Sequence, residues 1–248
     1  MAIHIGTSGW SYGHWDAVLY PPGLPPHERL AHYVGAFRTT EVNSTFYRWP
    51  RAATFAGWRR RLPPGFVLSV KAPRGLTHGK RLYGPEEWLA RIGDALRHLG
   101  DRLGPLLVQL PPEQRDDPAR LAYFLALVPS WLRVALEFRH PSWHHEGTFA
   151  LLERHGAGYC VLSGAGLPCV LRATAPFVYV RLHGPDHRHL YAGSYADAEH
   201  GWWAARIGDW RGGTREGGSG RDVFAYFNND GGGNAVRDAL RLGGLVGE

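Results

Sequence analysis

The feature that most constrains this chain is a recurrence: eight short apolar runs, spaced so that a helix fits between several successive ones. They occupy 3–6, 39–43, 66–71, 106–110, 134–138, 159–163, 177–183 and 223–228. Most are rich in Val, Ile, Leu or aromatics, the composition of strands buried on both faces. Between them, 85–99 places Trp88, Leu89, Ile92, Leu96 and Leu99 at three- and four-residue spacing. It opens on Pro85 with Glu86 and Glu87, a helix-start signal. Segment 118–128 repeats the pattern with Leu121, Phe124, Leu125 and Val128. Further helices are expected over 198–210 and 234–242, and over 50–62, which ends at Pro63-Pro64. Eight strands alternating with helices in 248 residues predict one (β/α)8 TIM-barrel domain spanning 1–248. The competing doubly wound sheet lacks its phosphate fingerprint, because the first strand runs into GTSGWSYG, neither G-x-G-x-x-G nor a Walker A loop. The Gly-rich segment 212–220 is expected to be a flexible surface connection.

Composition narrows the class. A chain of this size buries an adequate core without disulfides, and its two cysteines, Cys160 and Cys169, fit a reducing cytoplasm. The opening MAIHIGTSGW shows neither a basic nor an apolar signal region. No apolar run approaches the roughly 18 residues of a membrane span, and 12% aromatics argue against disorder. The formal charge of +6 is soft evidence for nucleic acid, since 26 of the 28 basic residues are Arg and no polybasic stripe appears. Arg59-Arg60-Arg61 closes an expected helix, where it complements the helix dipole. No helix shows a heptad seam, so a monomer is the default expectation.

In a (β/α)8 fold, function is built on the C-terminal ends of the strands and the loops after them. Those ends are polar here: Thr7, Ser8 and Trp10; Glu41, Asn43 and Tyr47; Ser69, Lys71, Thr77 and His78; Gln109; Glu137 and Arg139; Arg181 and His183; Asn228, Asn229 and Asp230. Glu41/Asn43, Ser69/Lys71, Glu137/Arg139 and Arg181/His183 are i, i+2 pairs, so each pair shares one face of its strand. Their neighbours Val42, Val70, Phe138 and Leu182 are apolar and are expected to face the helices, with the polar members pointing into the barrel. Charges in such a place are costly unless paired or used. The purely structural alternative is a network of buried ion pairs such as Glu41–Lys71 and Glu137–Arg139.

Charge accounting points to an anion. Lys71, Arg139 and Arg181 outnumber Glu41 and Glu137, and His183 titrates near neutrality. Guanidinium groups match phosphate or carboxylate with two parallel bonds. No cofactor is expected. A divalent metal is the secondary expectation, with Glu41, Glu137, His78, His183 and Asp230 as candidate ligands, but three nearby cations oppose it. His187 and His189 are expected on a loop in water. Trp10, Trp15, Trp49 and Trp143 lie near strand ends, where they either pack or stack on sugars or bases.

Several stretches carry a family resemblance: IGTSGWSYGHW with LYP at 19–21, TTEVNSTFYRWP at 39–50, SVKAPRGLTH at 69–78, GPLLVQLPP at 104–112, ALEFRHPSW at 135–143, YVRLHGP at 179–185 and YFNND at 226–230. With these the sequence resembles the DUF72, or YecE-like, family over nearly its whole length. The resemblance implies a TIM-barrel fold and no settled activity. Where an amide would be expected in the last helix, this chain carries Asp238.

The leading functional reading is an enzyme, a hydrolase or phosphoesterase, on a phosphate-bearing substrate, with nucleotides and nucleic acid among the candidates. In it Arg139, Arg181 and Lys71 hold the anion. Glu137 or Glu41 is the general base and His183 the general acid, and Lys71 joins them as a candidate catalytic group. The substrate-binding set is Trp10, Asn43, Tyr47, His78, Gln109, Arg139, Arg181, Asn228 and Asn229. Two alternatives are a carbohydrate-active enzyme using the two glutamates and a non-catalytic protein that binds an anion or nucleic acid.

Overall fold

The computed structural model describes residues 1–213 and 219–248. Most of the Gly-rich segment 212–220 therefore lies outside the described residues. The strands are β1 (Ile3–Thr7), β2 (Thr39–Val42), β3 (Val67–Lys71), β4 (Leu103–Gln109), β5 (Val134–Glu137), β6 (Gly158–Ser163), β7 (Phe177–Leu182) and β8 (Asp222–Phe227). The helices are α1 (Arg29–Ala36), α2 (Ser44–Tyr47), α3 (Ala52–Arg61), α4 (Glu86–Leu96), α5 (Pro118–Leu127), α6 (Glu146–Arg154), α7 (Asp197–Gly212) and α8 (Asn234–Val246). Strands and helices follow one another largely in alternation as in the (β/α)8 class, except that two helices separate β2 from β3 and none of the described helices falls between β6 and β7.

The chain divides into two compact units, one made of Met1–Glu41, Val161–Cys169 and Pro176–Glu248, the other of Val42–Cys160 and Val170–Ala175. In the first unit β1 and β7 both pair in parallel with β8, with Gly6 opposite Tyr226 and Arg181 opposite the same residue from the other side. A parallel bridge joins Ser8 to Glu41. Ile5, Val178, Val180, Phe224 and Tyr226 are buried, and Tyr33 of α1 donates to Thr39 O and meets Thr7. In the second unit β5 lies between β4 and β6, and β3 pairs with β4. Val70, Leu106, Val108 and Leu136 are fully buried here with Ile92 of α4 and Phe124 of α5. The apolar neighbours Val42, Val70, Phe138 and Leu182 are all buried. Helix α5 starts at Asp117, whose carboxylate accepts from Arg120 N at 2.9 Å.

Close strand contact dictates one glycine. A Cβ on Gly6 would stand 2.4 Å from the backbone oxygen of Thr39. Gly6→Ala is expected to cost about 1–3 kcal/mol by overpacking; urea unfolding measures it, and a midpoint equal to wild type would show that β1 yields at this point.

Candidate functional site

The strand ends of the first unit are organised around Glu41. Its carboxylate is fully buried and accepts four hydrogen bonds. Ser8 Oγ and the Arg181 terminal amine donate to Oε1, both at 2.7 Å, while Tyr179 OH at 2.7 Å and Arg181 Nε at 3.0 Å donate to Oε2. Two of the four form the parallel fork that suits arginine to a carboxylate. A buried charge is tolerable when it is paired and its lone pairs are filled, and both conditions hold. Burial first, then the adjacent Glu41 carboxylate, pushes the Tyr179 phenol well above its ordinary range, so it remains a donor. Tyr179, Arg181 and His183 fall on one face of β7 and its extension by the i, i+2 rule.

Just past β7, His183 is fully buried. Its backbone N–H donates to Ser163 O at 2.7 Å, and Asn228 Nδ2 lies 3.2 Å from its Nδ1. Asn229 uses its amide elsewhere, donating to Gly193 O at 2.9 Å and to Asp238 Oδ2 at 2.7 Å. Asp238, buried in α8, also accepts from Ser194 Oγ and Tyr195 N. Tyr195 OH in turn accepts from Gly184 N, beside His183, and donates to Ser163 Oγ. The acid at 238 thus anchors the segment following β7. Trp10 is half-buried and its carbonyl accepts from Tyr20 OH. Trp15 is completely buried, so it packs. His187 and His189 are exposed.

In the second unit Glu137, fully buried at the end of β5, accepts at Oε1 from Arg139 Nε and, at 2.9 Å, from Gln109 Nε2. Gln109 and Glu137 are register partners on β4 and β5. One strand further, Lys71 ends β3 opposite Leu107, and its carbonyl accepts from Thr45 Oγ1 at 2.7 Å, which seats α2 on the strand end. Phe46 of α2 lies between Lys71 and His78: Lys71 Nζ is 4.5 Å from its ring centre, a cation–π contact, and the His78 ring meets it edge-on at 5.0 Å. Tyr47 packs edge-on against Phe46 yet is 80% exposed. Asn43 Oδ1 at the start of α2 is buried with no hydrogen-bond partner among the described residues. His78 lies in a single π-helical turn, Gly75–Gly79, and bonds Thr77 Oγ1 at 3.0 Å. Burial lowers its pKa first, and the positive charges of Lys71 and Arg74 lower it further, against smaller opposing effects from Glu113 and Glu137. The imidazole is therefore neutral at pH 7. Trp143 is buried and donates to Gln114 O, whereas Trp49 is half-buried against Phe55.

Eleven of the thirteen expected site residues thus separate into local groups. Glu41 and Arg181 form one pair, with Ser8 and Tyr179. His183 stands with Asn228, and Asn229 is tied to α8 rather than to His183. Glu137, Arg139 and Gln109 form a second cluster, and Lys71 and His78 flank Phe46 beside Tyr47. Of the two ion pairs that the purely structural alternative names, Glu137–Arg139 is present, but the cation that grips both oxygens of Glu41 is Arg181, not Lys71. Three participants were missed. Tyr179 was within reach of the alternation rule, two residues before Arg181. Asp238, noted in the sequence only as an unexpected acid, and His14, which lies 2.8 Å from Asp230, carried no local signal, because their partners are distant in sequence. Among the described residues no group of three or more His, Cys, Asp and Glu side chains is placed to hold a metal ion. No described helix is long and apolar enough to cross a membrane.

Comparison with known proteins agrees with this architecture. A DUF72 solved structure from Thermotoga maritima MSB8 is 27% identical and superposes with a TM-score of 0.87, covering 100% of both chains. A DUF72 family structure from Enterococcus faecalis V583 superposes with a TM-score of 0.84 at 18% identity, covering 99% of this chain and 96% of that one, and supports the fold alone. The UPF0759 protein YunF of Bacillus subtilis (strain 168) is 28% identical over 274 residues, covering 97% of this chain and 93% of its own length. The profile described as "Protein of unknown function DUF72" matches residues 4–248. On that match the chain, a (β/α)8 protein, belongs to the DUF72 family.

Proposed function

We propose that the protein is an enzyme acting on a phosphate-bearing substrate, with the anion held at the strand ends of the second unit. The observation that carries this reading is the grouping at Phe46: Lys71 Nζ lies 4.5 Å from its ring centre and His78 meets the same ring edge-on at 5.0 Å, and the charges of Lys71 and Arg74 join burial in lowering the His78 pKa. A lysine at a strand end beside a neutral histidine attracts an anion. Lys71 and Arg139 are the anion contacts, Glu137 is the general base, and Gln109 and Arg139 keep that carboxylate in place. Tyr47 and Asn43 line the approach from α2. Arg181 is assigned to holding Glu41, whose four donors leave it a poor partner in a two-glutamate glycosidase. The reaction class is phosphoester hydrolysis.

A bound phosphate opposes the field of Lys71 and Arg74, so the His78 pKa is expected to rise on binding. NMR titration of the His78 ring, with and without pyrophosphate, measures this, and thermal-shift assays with nucleotides, sugar phosphates, neutral sugars, short DNA and divalent metals against EDTA run beside it. The reading predicts an upward move of His78 and stabilisation by phosphorylated ligands, both lost in Lys71→Ala. A His78 titration indifferent to pyrophosphate, or stabilisation by neutral sugars alone, would overturn it.

A further inference from the structure

His14 and Asp230 lie outside the chemistry assigned above, at the C-terminal ends of β1 and β8 in the first unit. Asp230 Oδ2 is 2.8 Å from His14 Nε2, and its Oδ1 accepts from Trp15 Nε1 at 2.5 Å. Trp15 has no exposed surface, so its indole N–H holds the carboxylate rigidly from the protein side. The His14 side chain is 46% exposed and that of Asp230 19%. Tyr12 and Trp15 pack against the His14 ring at 5.5 and 6.5 Å. No hydrogen bond among the described residues engages Nδ1 of His14.

A carboxylate that accepts the N–H of one imidazole nitrogen sets the tautomer and makes the other nitrogen more basic. The same strand end sets the opposite polarity at His183: the Asn228 amide, donating to Nδ1, leaves Nε2–H as the donor. Two residues apart, Asn228 and Asp230 thus present one imidazole as a hydrogen donor and the other as a proton acceptor.

The geometry points to His14 as a proton acceptor for a hydroxyl group or water, with Asp230 and Trp15 as its positioning residues. In the neutral ring Nε2–H is donated to Asp230, and the Nδ1 lone pair takes the proton of the incoming O–H. The resulting imidazolium is neutralised by Asp230, and the oxygen keeps the electron pair of its broken O–H bond. The ligand class is one that brings an ionisable hydroxyl or an activated water to the ends of β1 and β8. This inference is independent of the anion site, because it invokes none of Lys71, Arg139 or Glu137.

Two measurements test it without a known substrate. Long-range proton–nitrogen NMR on the wild-type protein at pH 7.5 reads the tautomer directly. An Nε2–H ring is expected, and an Nδ1–H or doubly protonated ring overturns the proposal. Diethyl pyrocarbonate modification, followed peptide by peptide by mass spectrometry, reads the basicity of Nδ1. His14 should react faster than His27, although the His27 side chain is far more exposed at 78%. Asp230→Asn presents an amide N–H to Nε2, forces the Nδ1–H tautomer and should bring His14 down to the His27 rate or below. Equal rates for His14 and His27 in wild type, or an unchanged His14 rate in Asp230→Asn, contradict the proposal; the wild-type spectrum decides independently if that variant does not fold.

Discussion

Arg181→Leu is expected to destabilise the protein by about 3–5 kcal/mol, because it strands the Glu41 carboxylate in a buried position without its counter-ion. Arg181 is almost wholly buried and supplies two of the four donors to that group. Ser8 and Tyr179 remain, but two neutral donors do not offset a desolvated charge. Urea unfolding monitored by tryptophan fluorescence gives the midpoint and slope. The double variant Glu41→Leu/Arg181→Leu should be less destabilised than Arg181→Leu alone, since it removes both charges, although Ser8 and Tyr179 then lose their acceptor. A single variant within about 1 kcal/mol of wild type would mean that Glu41 takes up a proton at little cost, as a buried carboxyl can when its counter-ion is lost.

Glu137→Gln is expected to lower phosphoester turnover by about 10²–10⁴-fold, the range general-base catalysis supplies. The amide keeps the size of the side chain and can still accept from Gln109 and Arg139, so the local geometry is largely retained. Its cost in stability comes from the Arg139 guanidinium, whose side chain is only 7% exposed beside Glu137. The distinguishing readout is therefore kcat with unchanged stabilisation by a phosphorylated ligand. If binding falls as steeply as turnover, Glu137 is organising the anion site through Arg139 rather than moving a proton.

All eight strands were legible because each is a short apolar run and the alternation rule survives at its polar end. Their ends shifted by a few residues at most. The largest shift is at β4, which begins at Leu103, three residues before the expected start. The Gly104-Pro105 step reads as a break, yet Gly104 is in the strand because it lies against β3: a Cβ there would meet Ser69 Oγ at 2.7 Å. Three helices were not expected: the single turn α2, and α1 and α6, each under ten residues. Neither α1 nor α6 offers more than a short apolar stripe, Leu30 and Tyr33 in one, Phe149, Leu151 and Leu152 in the other, so tertiary burial rather than local pattern makes these two helical.

The site was legible to the level of faces but not of partners. Glu41 and Arg181, Gln109 and Glu137, and Lys71 and Phe46 all lie at positions the strand ends nominate or adjoin. Which cation meets which acid is set by tertiary packing: Glu41 on β2 and Arg181 on β7 are 140 residues apart in the chain and on strands that are not neighbours in the sheet. The expected sum of charge likewise missed that Arg181 would be consumed by Glu41. The His14–Asp230 pair spans an even longer separation and lies in loops, where no periodicity operates.

The most direct test of the central claim is turnover on a panel of phosphomonoesters, phosphodiesters and nucleotides, assayed by product release with wild type, Glu137→Gln and Lys71→Ala in parallel, with and without EDTA. The account predicts hydrolysis of at least one phosphorylated class by wild type, a loss of about 10²-fold or more in Glu137→Gln, and weakened substrate binding in Lys71→Ala. Absence of turnover across the panel, or activity that survives Glu137→Gln undiminished, would contradict it.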